Sequence, residues 1–168
     1  MTMNSKSALL ATLCVAAVVA AGCGSAASTT PGTEASNALI QWTSLTHFDQ
    51  VVGDLQNDTA KINESIVRSR SKLTLQTLCG ILLIDVQTAN NNLPTPDRTA
   101  TKLAAMAYGD LGAGANQCFS AATVHSPEMV RSTASRTKGL IELAQTVSRI
   151  EEVTGQPVST TTTTTLAP

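Results

Sequence analysis

Residues 73–118 read LTLQTLCGILLIDVQTANNNLPTPDRTATKLAAMAYGDLGAGANQC. An apolar run with helical spacing leads into Asn90-Asn91-Asn92-Leu93-Pro94-Thr95-Pro96-Asp97, and a second, small-residue run leads out. Asparagine is a weak helix former, and each proline pushes its predecessor out of the α region, so the chain must turn here. Asp97 is placed to cap the helix that follows. Cys79 and Cys118 lie one in each run. The pattern predicts a helical hairpin, with one further helix on either side of it in sequence.

The first predicted helix begins near Asn37. Leu45, Phe48, Val52, Leu55, Ile62 and Ile66, with Thr59 filling the gap, recur at steps of three and four and form one stripe. Gly53 and Gln56-Asn57-Asp58 are its weak points. Trp42 lies off the stripe and reads as a cover at one end of the core. Arg68-Ser69-Arg70-Ser71-Lys72 marks the first turn, where cations suit the negative end of the preceding helix. This run reads either as a solvated corner or as a site for lipid headgroups or an acidic partner.

The second predicted helix covers about Ser71 to Asn91. Its stripe is Leu75, Leu78, Leu82, Val86 and Ala89, widened by Cys79 and Ile81. Ile81 to Ile84 is apolar on all sides, which marks this helix as the most buried. Asp85 is either solvated or paired with Arg98 or Lys102. The third helix runs from Asp97 to about Ala122, with Leu103, Ala104, Ala107, Tyr108, Leu111, Ala115, Cys118, Phe119 and Ala122 inward. Gly109, Gly112 and Gly114 weaken it but admit a close neighbour. Gly112-Ala113-Gly114 lacks the third glycine and the preceding strand of a dinucleotide fingerprint.

Ser126-Pro127-Glu128 opens the fourth helix as N-cap, first-turn proline and first-turn acid. Val130, Ala134, Leu140, Ile141, Ala144, Val147 and Ile150 form its expected stripe, and it stops near Gly155. These elements predict an all-α, up-down-up-down four-helix bundle over residues 37–155. The tail, 156–168, carries Thr160 to Thr165 and reads as disordered.

The N-terminal residues carry an address. One cation, Lys6, precedes an apolar stretch from Ala8 to Ala21. At about 14 residues it falls short of the roughly 20 that a spanning helix needs, and it fits the apolar region of a secretory signal. It ends Val19-Ala20-Ala21-Gly22-Cys23. This segment resembles a bacterial lipoprotein signal, whose lipobox is a short small or aliphatic run ending in Gly/Ala-Cys; Ala20 stands where leucine is commonest. The resemblance implies cleavage of residues 1–22, thioether diacylglyceryl attachment to Cys23 and N-acylation with a chain such as palmitate. The alternative is an ordinary signal with a chance cysteine. Residues 23–36, small and polar with a Pro-Gly break, read as a flexible tether. The expected location is the extracytoplasmic face of the cell membrane, with the lipid on Cys23 holding the chain there.

Cys14 falls within the signal, which leaves Cys79 and Cys118 for the folded domain. Two cysteines on adjacent antiparallel helices of an exported domain predict a disulfide; the alternative is two buried free thiols. The loop it closes is about 40 residues, for which chain entropy gives about 4 kcal/mol. From Asn92 back to Cys79 is about 13 residues and from Arg98 forward to Cys118 about 20, an offset of roughly 10 Å of helix. An extended Pro-rich connection absorbs it. The run from Cys79 through Leu93-Pro94-Thr95-Pro96-Asp97 to Gly114-Ala115-Asn116-Gln117-Cys118 also resembles small secreted or lipid-anchored helical proteins of actinomycete bacteria. That resemblance implies a helical domain outside the membrane and transfers no activity and no site residues.

Lys+Arg (11) nearly equals Asp+Glu (12), and the aromatics are only Trp42, Phe48, Tyr108 and Phe119. Neither a basic surface nor a stacking platform for nucleic acid is encoded. His47 and His125 stand in no nucleophile or metal spacing, so the reading assigns no catalytic residues, no metal and no cofactor. It predicts a non-enzymatic domain that interacts with another envelope protein or scaffolds a complex. The alternative is a carrier of a small ligand or lipid, held in a cavity that the Ala/Gly-rich third helix leaves inside the bundle.

Overall fold

A computed structural model of the chain describes residues 31–159. The expected signal segment, Cys23, the first part of the expected tether and the threonine run lie outside the described residues. Among the described residues the fold is all-helical, with five helices and no strand: α1 Pro31–Leu45, α2 Phe48–Val67, α3 Lys72–Asn90, α4 Arg98–Ser120 and α5 Pro127–Thr154. None of them is long and apolar enough to cross a membrane.

The first expected helix is two. It breaks at Thr46-His47, where His47 takes a left-handed backbone (φ 48), rather than at Gly53 or Asn57. Thr46 Oγ1 donates to the Trp42 carbonyl at 2.8 Å and closes the end of α1. Leu45, assigned to the stripe, is therefore exposed, while Leu39 and Phe48 are buried on either side of the break. Residues 31–36, assigned to the tether, form the start of α1. Trp42 does cover an end of the core: its ring lies 5.4 Å from that of Phe48, and its Nε1 donates to Asn92 O at 3.0 Å.

The remaining boundaries follow local chemistry. Ser71, Asp97 and Ser126 cap α3, α4 and α5 by accepting from Thr74, Ala100 and Met129 backbone N–H groups. Gly155, at φ 66, ends α5. The chain beyond is not all free: Val158 N–H donates to Glu151 Oε1 at 2.9 Å, and Val158 packs on the core, so residues 156–159 belong to the folded part.

Cys79 and Cys118 meet at disulfide distance, with Cα atoms 5.9 Å apart and both residues buried. A Cβ on Gly112 would sit 3.4 Å from Val86 Cγ1. These two contacts show α3 and α4 running in opposite directions, with the start of α4 projecting beyond the end of α3. The segment 91–97, a turn at Asn91-Asn92 followed by irregular chain with a cis Leu93-Pro94 bond, spans the offset.

The closest helix contact is between α4 and α5. A Cβ on Gly114 would meet Arg136 Cγ at 2.5 Å and Ser132 O at 3.0 Å. A Cβ on Gly139 would meet Leu111 N at 2.9 Å and Ala107 O at 3.0 Å. Ser132 Oγ donates to Gly114 O at 2.7 Å. The inward face of α5 is accordingly Met129, Ser132, Arg136, Gly139, Leu143, Thr146 and Ile150. The stripe expected from apolar residues lies largely elsewhere: Val130 and Ile141 are exposed, as are Ala134 and Ala144. On α3 the expectation of all-round burial also fails, since Ile84 is 62% exposed and Ile81 half-exposed. Phe119 and Ala122, placed inward, face out.

Two outcomes follow for stability. Gly114→Ala is expected to cost about 1–3 kcal/mol, as overpacking does, whereas Gly109→Ala, with nothing within 4 Å of its added carbon, is expected to gain up to ~1 kcal/mol. Equal effects in urea unfolding would refute the close approach. Cys79→Ser is expected to lower the melting temperature under oxidising conditions and to make it insensitive to reductant; an unchanged melting curve would mean the staple contributes nothing.

Candidate functional site

The turn between α2 and α3 and the connection between α4 and α5 lie at one end of the domain. The first is a helix-stop motif built without glycine. Ser69 takes the left-handed conformation (φ 49), Ser69 N–H donates to Ile66 O at 3.0 Å, and Arg70 N–H donates to Ser65 O at 2.9 Å. This closure throws the Arg70 side chain outward. Ser71 then caps α3, so Lys72 stands at the first helical position, the positive end of the helix dipole, with no acid in that first turn. A cation there is locally unfavourable, which marks the position as one set by something other than helix stability.

Between these segments lies a cavity of about 240 Å³. Leu75, Cys118, Ala121, Val124 and Met129 supply its apolar wall, and Ser69, Arg70 and Lys72 its rim. Gln76 Nε2 donates to Phe119 O at 3.1 Å and ties α3 to α4 beside it. Close in the chain to lining residues, Val67 is 83%, Leu73 73%, Val130 66% and Phe119 51% exposed, but none of the four lines the cavity, and the Phe119 ring lies over Gly80. Arg68 and Arg131 pair with Glu64 and Glu128, each at 2.9 Å. Among the described residues Arg70 and Lys72 take part in no ion pair.

Two further hollows are larger but shallower. One, about 540 Å³, lies over Leu103 and Ile141; the other, about 400 Å³, lies between the α1–α2 joint and residues 156–159, with His47 on its wall. At Gly114 and Gly139 the α4 and α5 backbones are in contact, so no space separates these two helices there.

The interior carries ionisable groups outside this site. Arg136 is 1% exposed, and burial lowers its pKa to about 10. Its donors reach Asn63 Oδ1 at 2.8 Å, Ser132 Oγ at 3.2 Å and Thr59 O at 3.4 Å, with no carboxylate among the described residues. Asp85 pairs with neither Arg98 nor Lys102. It faces Asp58 of α2, whose pKa is pushed up to about 6 by burial first and by Asp85 second. Asp58 Oδ2 is buried without a bonding partner among the described residues, and Lys61 approaches the other oxygen only to 3.6 Å. Glu142 repeats the arrangement on α5: burial and then Asp110 raise its pKa, while Lys138, 2.7 Å from Asp110, holds Asp110 ionised. Arg149 forks onto the Asp97 carboxylate at 2.9 and 3.2 Å and lowers its pKa.

His47 and His125 fall at opposite ends of the domain, in the α1–α2 joint and in the connection before α5, so no constellation joins them. Among the described residues no group of three His, Cys, Asp or Glu side chains is placed to hold a metal. Of the residues singled out from sequence, Arg70 and Lys72 line the cavity rim, and Cys118 its wall. Cys79 lies behind Cys118, and Cys23 is outside the described residues. The exposure of Val130 and Phe119 was missed because they share the periodicity of core positions. No protein-family model, curated protein or solved structure matches the chain.

The Asp58–Asp85 pair has a measurable consequence. The folded pKa of Asp58 lies above its ordinary value near 3.8, so folding retains a proton there. Its favourable contribution is complete below about pH 4 and is lost as pH rises through about 6. Asp58→Asn is expected to stabilise the protein by about 2 kcal/mol at pH 7.5 and by much less at pH 4.5. A benefit independent of pH, measured by chemical unfolding at both values, would show that Asp58 ionises normally.

Proposed function

We propose that the chain is a lipoprotein anchored through Cys23 to the extracytoplasmic face of the cell membrane, and that its helical domain is a non-enzymatic docking module for another envelope protein. In this reading α2–α5 form an up-down-up-down four-helix bundle, with α1 as a lead-in on the side of the chain that joins the anchor. The observation that carries it is the cavity at one end of the domain, whose wall is largely apolar and whose rim holds Arg70 and Lys72.

The size of this cavity supports docking over carriage at this end. Pockets that enclose whole small ligands run to about 300–1,000 Å³; 240 Å³ and an open mouth suit one anchoring side chain of a protein partner. A non-enzymatic role is supported by the separation of the two histidines and by the structural use of the buried charges.

Two experiments test this reading. Cys23→Ala is expected to release the protein from the membrane fraction, and unchanged retention would overturn the anchor. A photo-crosslinking residue at Leu73 or Phe119 is expected to yield a discrete protein adduct in intact cells, while the same residue at Ser148, on the far half of α5, yields none. Indistinguishable adduct patterns from both places would overturn docking through this end.

A further inference from the structure

Resting on that docking surface, we infer the chemistry of its occupant: an acidic peptide segment that seats one bulky apolar side chain in the cavity and sets carboxylates against Arg70 and Lys72. The apolar requirement comes from the wall, where Leu75, Cys118, Ala121, Val124 and Met129 outnumber the polar Gln76 and Thr123, and Gln76 already donates to Phe119 O at 3.1 Å. The acidic requirement comes from the rim. Arg70 and Lys72 are the rim cations, both exposed, and neither is neutralised by an ion pair among the described residues. Glu64 and Glu128, on the adjoining ends of α2 and α5, are engaged by Arg68 and Arg131. The start of α3 adds its own positive end in the same place, without a first-turn acid to offset it. The complement of this surface is therefore an apolar anchor flanked by negative charge.

A peptide fits better than a lipid surface. A flat bilayer covers protruding apolar groups but leaves a recess of this volume empty, and an empty recess loses the contacts its wall would otherwise make. An inserted side chain fills it, as an anchor does at an interface hot spot.

The test uses the purified full chain carrying Cys23→Ala, labelled for NMR, and three synthetic pentapeptides: Asp-Glu-Phe-Asp-Glu, its alanine-centred version, and its lysine-flanked version. The expected result is saturable shifts at Leu75, Val124 and Met129 with the first peptide only, weakening as salt is raised. The double variant Arg70→Glu, Lys72→Glu is expected to bind about tenfold more weakly, with unchanged chemical shifts in the helices away from the end. Equal binding of the lysine-flanked peptide overturns the acidic partner, and equal binding of the alanine-centred peptide overturns the anchor. Co-sedimentation of the same protein with phosphatidylglycerol vesicles, in the absence of any peptide shift, would replace the peptide with a membrane. If crosslinking at Leu73 still gives an adduct while the peptide fails, the docking reading stands and only this occupant falls; if both fail, both are wrong.

Discussion

Close contact between α4 and α5 sets the terms for the rest of this protein. At Gly114 the two backbones approach until Ser132 Oγ can donate to the Gly114 carbonyl at 2.7 Å, and at Gly139 the approach is repeated against Leu111 and Ala107. Side chains larger than hydrogen at these two positions would hold the helices apart. Because the gap is closed by backbone and small groups, the inner face of α5 does not need to be apolar. It carries Ser132, Arg136 and Thr146, and Arg149 ties the far end of the same helix to the cap of α4.

That arrangement passes the problem of polarity inward. Arg136 spans from α5 to α2 and meets only neutral oxygens there, the Asn63 amide and the Thr59 carbonyl among them. A buried cation held this way relies on complete hydrogen bonding, since no opposite charge offsets its desolvation. The carboxyl pairs, Asp58 with Asp85 and Glu142 with Asp110, solve the converse problem by raising the pKa of the more buried member. The α2–α3 and α4–α5 contacts therefore both respond to pH, whereas the Cys79–Cys118 link between α3 and α4 does not depend on it.

The end surface draws its shape from the same framework. Its cavity lies where α3 and α4, stapled near that end, diverge around the start of α5 and the glycine-free turn at Ser69. The strained conformation of Ser69 and the cation at the first position of α3 are local departures from what helix stability favours. Both sit at the mouth.

Much of the local structure was legible in the chain. Ser126-Pro127-Glu128, Asp97 and Gly155 mark helix ends through short-range chemistry, and the structure places the ends there. The stripes of α2 and α4 were read correctly for Val52, Leu55, Ile62, Ala104, Leu111 and Ala115, because their neighbours are apolar and ordinary spacing applies. The break at His47 was not legible: a left-handed histidine carries no glycine or proline signal. The face of α5 was misread because apolar periodicity assumes that the inner face is the apolar one. Leu143 and Ile150 point inward, but Val130 and Ile141 do not, and which face wins is decided by Gly114 and Gly139 meeting partners that are distant in sequence. By itself the sequence determined that the described residues are helical, their caps and turns, and the cysteine pair that spans one hairpin, since each of these depends on residues close together or on a simple count. Only the tertiary structure decided how α5 is rotated, which charges are buried together, and that Arg70 and Lys72 share a cavity with Met129, because those depend on distances between helices that no local pattern encodes.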